Sequence, residues 1–170
     1  MSTRLRLAAI ILIVLALDQA SKLLVSSNMG LGESIPVIPG LFHLTLVRNS
    51  GMAFGLLSAH AIPYKPILVT LLSVVALGAV AVYAIRTPSY ERLSHFGLAF
   101  ILGGAAGNII DRIRLGYVVD FLDVFYRGSH WPAFNVADAA ICTGVGLLLL
   151  DTLLHREPKD ATAPSSAPES

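Results

Sequence analysis

The chain has 170 residues, of which 55% are hydrophobic and only 14% are charged, and its mean hydropathy is +0.72. This composition excludes an ordinary soluble domain and predicts one integral membrane domain. The net charge of +1 gives no reason to expect a nucleic-acid partner, and a single cysteine excludes an internal disulfide.

The first predicted element is a membrane-spanning helix. Arg4 and Arg6 precede an apolar run, and a helical pattern continues from Leu7 to Val25. These 19 residues make about 28 Å of helix, which is enough to cross a bilayer. A basic start and an apolar run also describe a secretory signal peptide. That reading is rejected because no small-residue cleavage site follows closely and three more hydrophobic segments come later.

Residues 26–65 have a different character, with prolines and glycines that interrupt any helix. The side chains from Phe42 to Leu46 alternate with a period of two, which favours a strand. We expect short strands with a turn at Pro39 and Gly40. They must lie outside the hydrocarbon or be covered by protein, because open strand edges cannot face lipid.

Three further spans are predicted at residues 66–85, 93–113 and 134–154. In the third helix, the small residues from Gly103 to Gly107 allow neighbouring helices to approach closely. Residues 116–132 are expected to form a loop on the same side as the strands. The prediction is an all-α membrane protein with four transmembrane helices and a small strand segment between helices one and two. Residues 1–156 form one membrane domain, and residues 157–170 form a disordered tail.

Polar residues within these spans gather at one predicted membrane face. They are Asp18 and Lys22 in helix one, Asn108, Asp111 and Arg112 in helix three, and Asn135 and Asp138 in helix four, with Asp120 just before it. Ionisable residues inside a membrane are costly and mark functional sites. A single site at this face is therefore expected. The numbers of basic residues on the two sides are nearly equal, but the basic leader and the short link from Arg86 to Arg92 favour a cytoplasmic location for the opposite face.

Several of these residues also have a purely structural interpretation. Asp18 and Lys22 are four residues apart and can form a local ion pair. Asn135 can cap helix four, and Asp138 lies three residues later, as in a capping box. Asp111 lies near a helix C-terminus, where negative charge is disfavoured. It is expected to pair with Arg112 or Arg114.

Asp120 and Asp138 are the candidate catalytic pair. If two carboxylates converge in an apolar setting, one stays protonated and the other ionised. Such a pair can activate water and polarise a carbonyl together. Asp123, in the predicted loop, is interpreted as a solvated or locally hydrogen-bonded acid. The five histidines are scattered, which argues against a zinc site.

Intramembrane carboxylates also serve proton relays, so the rival prediction is a small proton-coupled transporter subunit. A structural assembly subunit is a third possibility, but it gives the clustered acids no role. Against the transporter, the sequence has no internal repeat.

Five ordered motifs resemble those of the lipoprotein signal peptidases, the type II signal peptidases of bacteria. They are Asp18-Gln19-Ala20-Ser21-Lys22, Arg48-Asn49-Ser50-Gly51-Met52-Ala53-Phe54, the run from Gly103 to Arg112, the run from Gly116 to Phe121, and the run from Phe134 to Ala139.

This resemblance implies an aspartic endopeptidase that removes the signal peptide from diacylglyceryl-modified prolipoproteins by cutting before the lipidated cysteine. The implied catalytic residues are Asp120 and Asp138, and the implied substrate-binding residues are Asn49, Asn108, Arg112 and Asn135. The residues implied to support the site are Asp18, Lys22, Gly51 and Asp111.

The resemblance also implies location and requirements. The protein would be a multi-pass protein of the bacterial inner membrane, with both termini cytoplasmic and the active site at the periplasmic face. Family members are inhibited by globomycin and need no metal or cofactor. Membrane lipid is the other expected partner, and we expect a monomer.

Overall fold

The computed structural model describes residues 3–51, 64–88 and 91–155. These ranges contain four helices, α1 (Thr3–Asn28), α2 (Lys65–Arg86), α3 (Arg92–Leu115) and α4 (Val136–Leu154). All four are long and apolar enough to cross a membrane, as predicted. Two expectations lie outside the described residues: the part of the strand region at 52–63, and the tail at 157–170.

Four strands accompany the helices: β1 (Ser34–Ile38), β2 (Phe42–Asn49), β3 (Val118–Tyr126) and β4 (Ser129–His130). They form antiparallel neighbours in the order β1-β2-β3-β4. A turn over residues 39–41 joins the first two strands, which confirms the turn predicted at Pro39 and Gly40.

The prediction of a loop over residues 116–132 is wrong, because this segment supplies β3 and β4. The sequence of β3 is rich in valine and aromatic residues, which favours a strand. Its first four residues are all buried, so the hydrophobic alternation that identifies a half-exposed strand is missing. The small sheet is thus built from both segments that connect helices at this end.

Glycines of α3 set the spacing between the helices. A Cβ added at Gly97 would lie 2.7 Å from the carbonyl oxygen of Gly144 in α4, and one at Gly103 would lie 2.9 Å from Cβ of Val14 in α1. One at Gly104 would collide with the carbonyl oxygen of Ala137. The predicted close approach of neighbouring helices at this run is confirmed, and α3 packs between α1 and α4.

A hydrophobic cluster attaches the sheet to the end of α1. Val25 and Met29 from the last turns of α1 pack with Leu46 of β2 and with Val119 and Phe121 of β3. All five side chains are buried. The start of β3 is therefore held against the helices.

A backbone bridge connects β3 to the start of α4. Phe134 donates to the carbonyl oxygen of Leu122 over 3.1 Å and accepts from the Leu122 amide over 2.8 Å. The residue after this bridge is Asn135, the N-cap of α4. The strand that carries Asp120 and the helix that carries Asp138 are thus joined directly.

A separate polar cluster lies at the other end of the bundle. The hydroxyl of Ser94, near the start of α3, donates to the Asp151 carboxylate near the end of α4. His155 Nδ1 lies 3.1 Å from the other carboxylate oxygen of Asp151. Ser94 and Asp151 are buried, so this cluster pins the far ends of the two helices together.

Candidate active site

The sequence-predicted site residues meet at one end of the bundle, and they come from five elements. They are Asp18 and Lys22 of α1, Asn49 at the end of β2 with Gly51 just after it, Asn108, Asp111 and Arg112 of α3, Asp120 of β3, and Asn135 and Asp138 at the start of α4. Most of these residues are linked by hydrogen bonds in one continuous network.

A buried ion group forms the base of this network. Lys22 Nζ lies 2.8 Å from Asp18 Oδ2 and 2.9 Å from Asp111 Oδ2. Three charged residues can be buried together here only because each of them has an opposite charge within contact distance. The predicted Asp18–Lys22 pair is confirmed. The prediction that Asp111 pairs with Arg112 or Arg114 is wrong, because α1 packs against α3 and brings Lys22 to it.

Gln19 is part of this group and was not singled out from the sequence. Its amide nitrogen lies 3.0 Å from Asp111 Oδ1, 3.2 Å from Asp18 Oδ2 and 3.3 Å from the Gly107 carbonyl oxygen. The available signal was its position in the Asp18-to-Lys22 motif. Gln19 joins α1 to α3 beneath the site.

The start of α4 is capped from two directions. Asn135 Oδ1 accepts from the Asp138 amide over 2.9 Å, and Asp138 Oδ2 accepts from the Asn135 amide over 3.3 Å. Asp18 Oδ1 accepts from the Ala137 amide over 2.9 Å. The predicted capping box is confirmed. It does not compete with the site, since the cap itself places Asp138 there.

Asn108 connects the ion group to the start of α4. Its Nδ2 donates to Asp138 Oδ1 over 2.8 Å. Its Oδ1 accepts from Lys22 Nζ over 2.9 Å and from Asn135 Nδ2 over 3.1 Å. Asp138 is half-buried and accepts one N–H on each oxygen. Such donors, and the N-terminus of α4, stabilise an ionised carboxylate.

Asp120 is held by two asparagines. Asn135 Nδ2 donates to Asp120 Oδ1 over 2.7 Å, and Asn49 Nδ2 donates to Oδ2 over 2.9 Å. Asp120 is only 2% exposed. This burial raises the pKa of Asp120 from 3.8 to about 6, an effect that the Asn49 hydrogen bond opposes and the charge of Asp138 reinforces.

Gly51 orients Asn49. The Gly51 amide donates to Asn49 Oδ1 over 3.0 Å, so the Asn49 amino group is left to face Asp120. Gly51 itself is buried. Met52, Ala53 and Phe54 of the same motif lie outside the described residues.

Arg112 borders the dyad on the side of α2. Its Nη1 donates to the Asn108 carbonyl oxygen over 3.3 Å, and the charges of Asp138, Asp120 and Asp111 attract its guanidinium. Arg112 also lines a cavity of about 320 Å³ between α2 and α3, together with Pro66, Ile67, Thr70, Leu71, Ile113 and Gly116. Arg112 therefore interacts with the carboxylates and also lines this mainly apolar cavity.

Asp123 lies in β3 and is buried, so its predicted position in a loop and its predicted solvation are wrong. The alternative of local hydrogen bonding is confirmed. Thr45 Oγ1 donates to Asp123 Oδ2 over 3.2 Å, and His130 Nδ1 lies 2.9 Å from Oδ1. These partners belong to the sheet and do not include the residues around Asp120 and Asp138.

Comparison with known proteins identifies related chains. A family model of signal peptidase (SPase) II matches residues 10–154. A lipoprotein signal peptidase of Geobacter sulfurreducens is 49% identical over 151 residues, which is 89% of this chain and 93% of that one. One of Brevibacillus brevis is 46% identical over 142 residues, 84% of this chain and 91% of that one.

The fold also matches a solved structure. A bacterial membrane enzyme whose structure was determined by the in meso method at 2.3 Å superposes with a TM-score of 0.78. It is 31% identical, and the match covers 92% of this chain and 94% of that one.

Proposed function

The chain belongs to the signal peptidase II family, and from that premise we propose that Asp120 and Asp138 are its catalytic dyad. As a member of that family it is an aspartic endopeptidase that removes signal peptides from prolipoproteins. Family membership also decides between the two predicted classes, in favour of the peptidase over the transporter. The dyad, its chemistry and the fine placement of the site are our proposal.

One observation carries the assignment of the dyad. Asn135 contacts both acids. Its side-chain amino group donates to Asp120 Oδ1, and its backbone amide donates to Asp138 Oδ2. Its side-chain oxygen also accepts from the Asp138 backbone amide. A single residue therefore holds the two carboxylates side by side at one end of the bundle. Their environments also differ, which allows one to act as acid and the other as base.

In the first step Asp138 acts as the general base. Its carboxylate, ionised because both oxygens accept N–H donors and because it lies at the N-terminus of α4, takes a proton from water. The water oxygen attacks the scissile carbonyl carbon. Asp120, whose protonated form is favoured by its burial, donates its proton to the carbonyl oxygen. The product is a neutral tetrahedral diol, with Asp138 protonated and Asp120 ionised.

In the second step the roles reverse. Asp120 takes a proton back from one hydroxyl of the diol, and Asp138 gives its proton to the nitrogen of the scissile bond. The carbon–nitrogen bond breaks and releases a carboxylic acid and an amine. The dyad again holds one proton, on Asp120, and no other co-reactant is consumed.

The proposed substrate is a prolipoprotein that carries a diacylglyceryl group on the cysteine after the cleavage site. The site joins spanning helices to a sheet outside them, so a peptide whose signal helix lies in the bilayer can reach it. Arg112 and Asn49, which are half-buried, can donate to the extended peptide, whereas Asn108 and Asn135 are buried beside the dyad. The cavity between α2 and α3 offers apolar surface beside Arg112.

We place the site at the periplasmic face of the inner membrane, with both termini cytoplasmic. The described residues contain four helices that can each cross the membrane, and four spans would put the two termini on the same side. Every residue assigned to the site comes from this one chain, so we propose that it acts as a monomer in membrane lipid.

The test is cleavage of a purified diacylglyceryl-modified prolipoprotein in detergent, followed by gel shift. Asp120→Asn and Asp138→Asn are each expected to lower turnover by about 10²- to 10⁴-fold, the contribution of a positioned acid or base. Asp123→Asn is the matched control, since it changes a buried carboxylate of the same strand that lies outside the network. Near-wild-type turnover in either dyad variant would refute the two-aspartate mechanism.

A further inference from the structure

Lys22 uses all of its hydrogen-bonding capacity inside the protein. Its ammonium group carries three N–H donors, and three acceptors surround it: Asp18 Oδ2 at 2.8 Å, Asp111 Oδ2 at 2.9 Å and Asn108 Oδ1 at 2.9 Å. Its side chain is 4% exposed. An ammonium cannot accept a hydrogen bond, so the Asn108 atom that faces it has to be the carbonyl oxygen.

This contact determines what Asn108 presents to Asp138. With Oδ1 turned to Lys22, Nδ2 points at Asp138 Oδ1 over 2.8 Å. The opposite amide orientation would set the amino group against the ammonium and the oxygen against the carboxylate. Both contacts would be repulsive, and burial makes them costly. Lys22 therefore makes Asn108 a donor to Asp138.

The same contact affects Asn135. Its amino group has two hydrogens but three acceptors in range: Asp120 Oδ1 at 2.7 Å, Asn108 Oδ1 at 3.1 Å and the Val119 carbonyl oxygen at 3.2 Å. Because Lys22 fixes Asn108 Oδ1 as an acceptor, that oxygen also accepts from Asn135 Nδ2, and the Asn135 amino group is kept facing Asp120. With the Asn108 amide reversed, the two amino groups would face each other, and the amino group of Asn135 would be pushed away from this position.

We propose that Lys22 is a positioning residue that fixes the orientation of the Asn108 amide and thereby directs one amide N–H to each carboxylate of the dyad. This inference rests on the proposed function, since the dyad is what Lys22 arranges. Lys22 contacts neither dyad carboxylate by a hydrogen bond or ion pair in the described part of the chain. The charge of Lys22 also attracts both carboxylates through space. Its positioning role is separate from this attraction and acts through Asn108, and from there through Asn135.

The test separates the N–H donor of Lys22 from its charge. Lys22→Gln and Lys22→Met are each made together with Asp111→Asn, so that both double variants keep the net charge of the original ion group. Glutamine ends one atom earlier than lysine but still offers an N–H to Asn108. Methionine has a similar length and offers none. Asp111→Asn alone is the reference for both.

Turnover number and KM are measured for each protein on the diacylglyceryl-modified prolipoprotein. The methionine variant is expected to have a kcat about 10- to 100-fold below that of the glutamine variant, with little change in KM. Without an N–H donor at position 22, the Asn108 amide is no longer fixed, and Asp138 loses the N–H that Asn108 donates to it. Equal kcat values in the two variants would overturn the proposal, since only charge and packing would then matter.

A second measurement needs no variant of Lys22. In wild-type protein labelled with ¹⁵N-asparagine, the Asn108 amino protons, assigned by their loss in Asn108→Ser, are expected to show NOEs to the Asp138 β-protons. NOEs to the Lys22 ε-protons instead would overturn the proposal. Asp120→Asn is assayed alongside: near-wild-type turnover there overturns the dyad together with the Lys22 role. If turnover of Asp120→Asn falls as expected while the glutamine and methionine variants have equal kcat values, only the Lys22 role fails.

Discussion

Replacing Asp120 with asparagine is expected to stabilise the fold increasingly as the pH rises. In the wild type the carboxyl group is almost fully buried, and its pKa is raised from 3.8 to about 6. A raised carboxyl pKa means that the folded state binds more protons than the unfolded state between these two values. The contribution of Asp120 to the free energy of unfolding is therefore present below about pH 4 and is lost as the pH rises through about 6. An asparagine side chain does not titrate, so the variant has no such loss.

The size of the effect follows from the pKa difference. A rise from 3.8 to about 6 is about two units, and each unit corresponds to about 1.4 kcal/mol. The stability difference between Asp120→Asn and wild type should therefore increase by about 3 kcal/mol between about pH 4 and pH 8. For a chain of this size that amounts to a change of about 6 to 12 °C in the difference between the two melting temperatures.

The assay is thermal unfolding of both proteins in one detergent across this pH range. Val118→Ala is the control, because it removes buried apolar atoms from the same strand without changing a titratable group. The difference in melting temperature between Val118→Ala and wild type should not vary with the titration of Asp120. If the difference in melting temperature between Asp120→Asn and wild type stays constant or decreases as the pH rises, ionising the buried Asp120 does not have the proposed cost.

Two further expectations concern the surroundings of the dyad. Asn49→Ala removes a hydrogen bond that opposes the raised pKa of Asp120, so the alkaline limb of the pH profile of kcat/KM should move to higher pH. An unmoved or lowered limb would argue against Asp120 as the acid. Gly104→Ala places a methyl group against the Ala137 carbonyl oxygen and should cost about 1 to 3 kcal/mol of stability and reduce turnover. Gly146→Ala, whose Cβ meets nothing within 4 Å, should do neither, and unfolding and cleavage assays of both variants decide the point.

Sequence reasoning succeeded where the interacting residues are close in the chain. The pair of Asp18 and Lys22 and the capping box of Asn135 and Asp138 are spaced by four and three residues, and the structure contains both. Helical periodicity alone places such residues on one face. The four spanning helices were predicted for a related reason, since length and hydropathy are local properties.

Contacts between residues far apart in the chain could not be predicted from the sequence in the same way. Asp111 pairs with Lys22 of another helix, and this depends on how α1 packs against the glycines of α3. The sequence pattern does not identify β3 as a strand, because its buried first residues show no alternation of hydrophobic and polar side chains. The orientation of the Asn108 amide could not be predicted from the sequence either, because it depends on the ammonium group of Lys22 beside it.

The bridge between Leu122 and Phe134 has a consequence for how the site responds to the bilayer. Membrane helices tilt to match the thickness of the hydrocarbon, and tilting shifts the heights of their ends relative to one another. Because the bridge attaches β3 to the start of α4, we expect tilting of α4 to carry Asp120 with it. The bridge closes the backbone between Asp120 and Asp138 into a short loop, so we expect the separation of the two carboxylates to change little with membrane thickness.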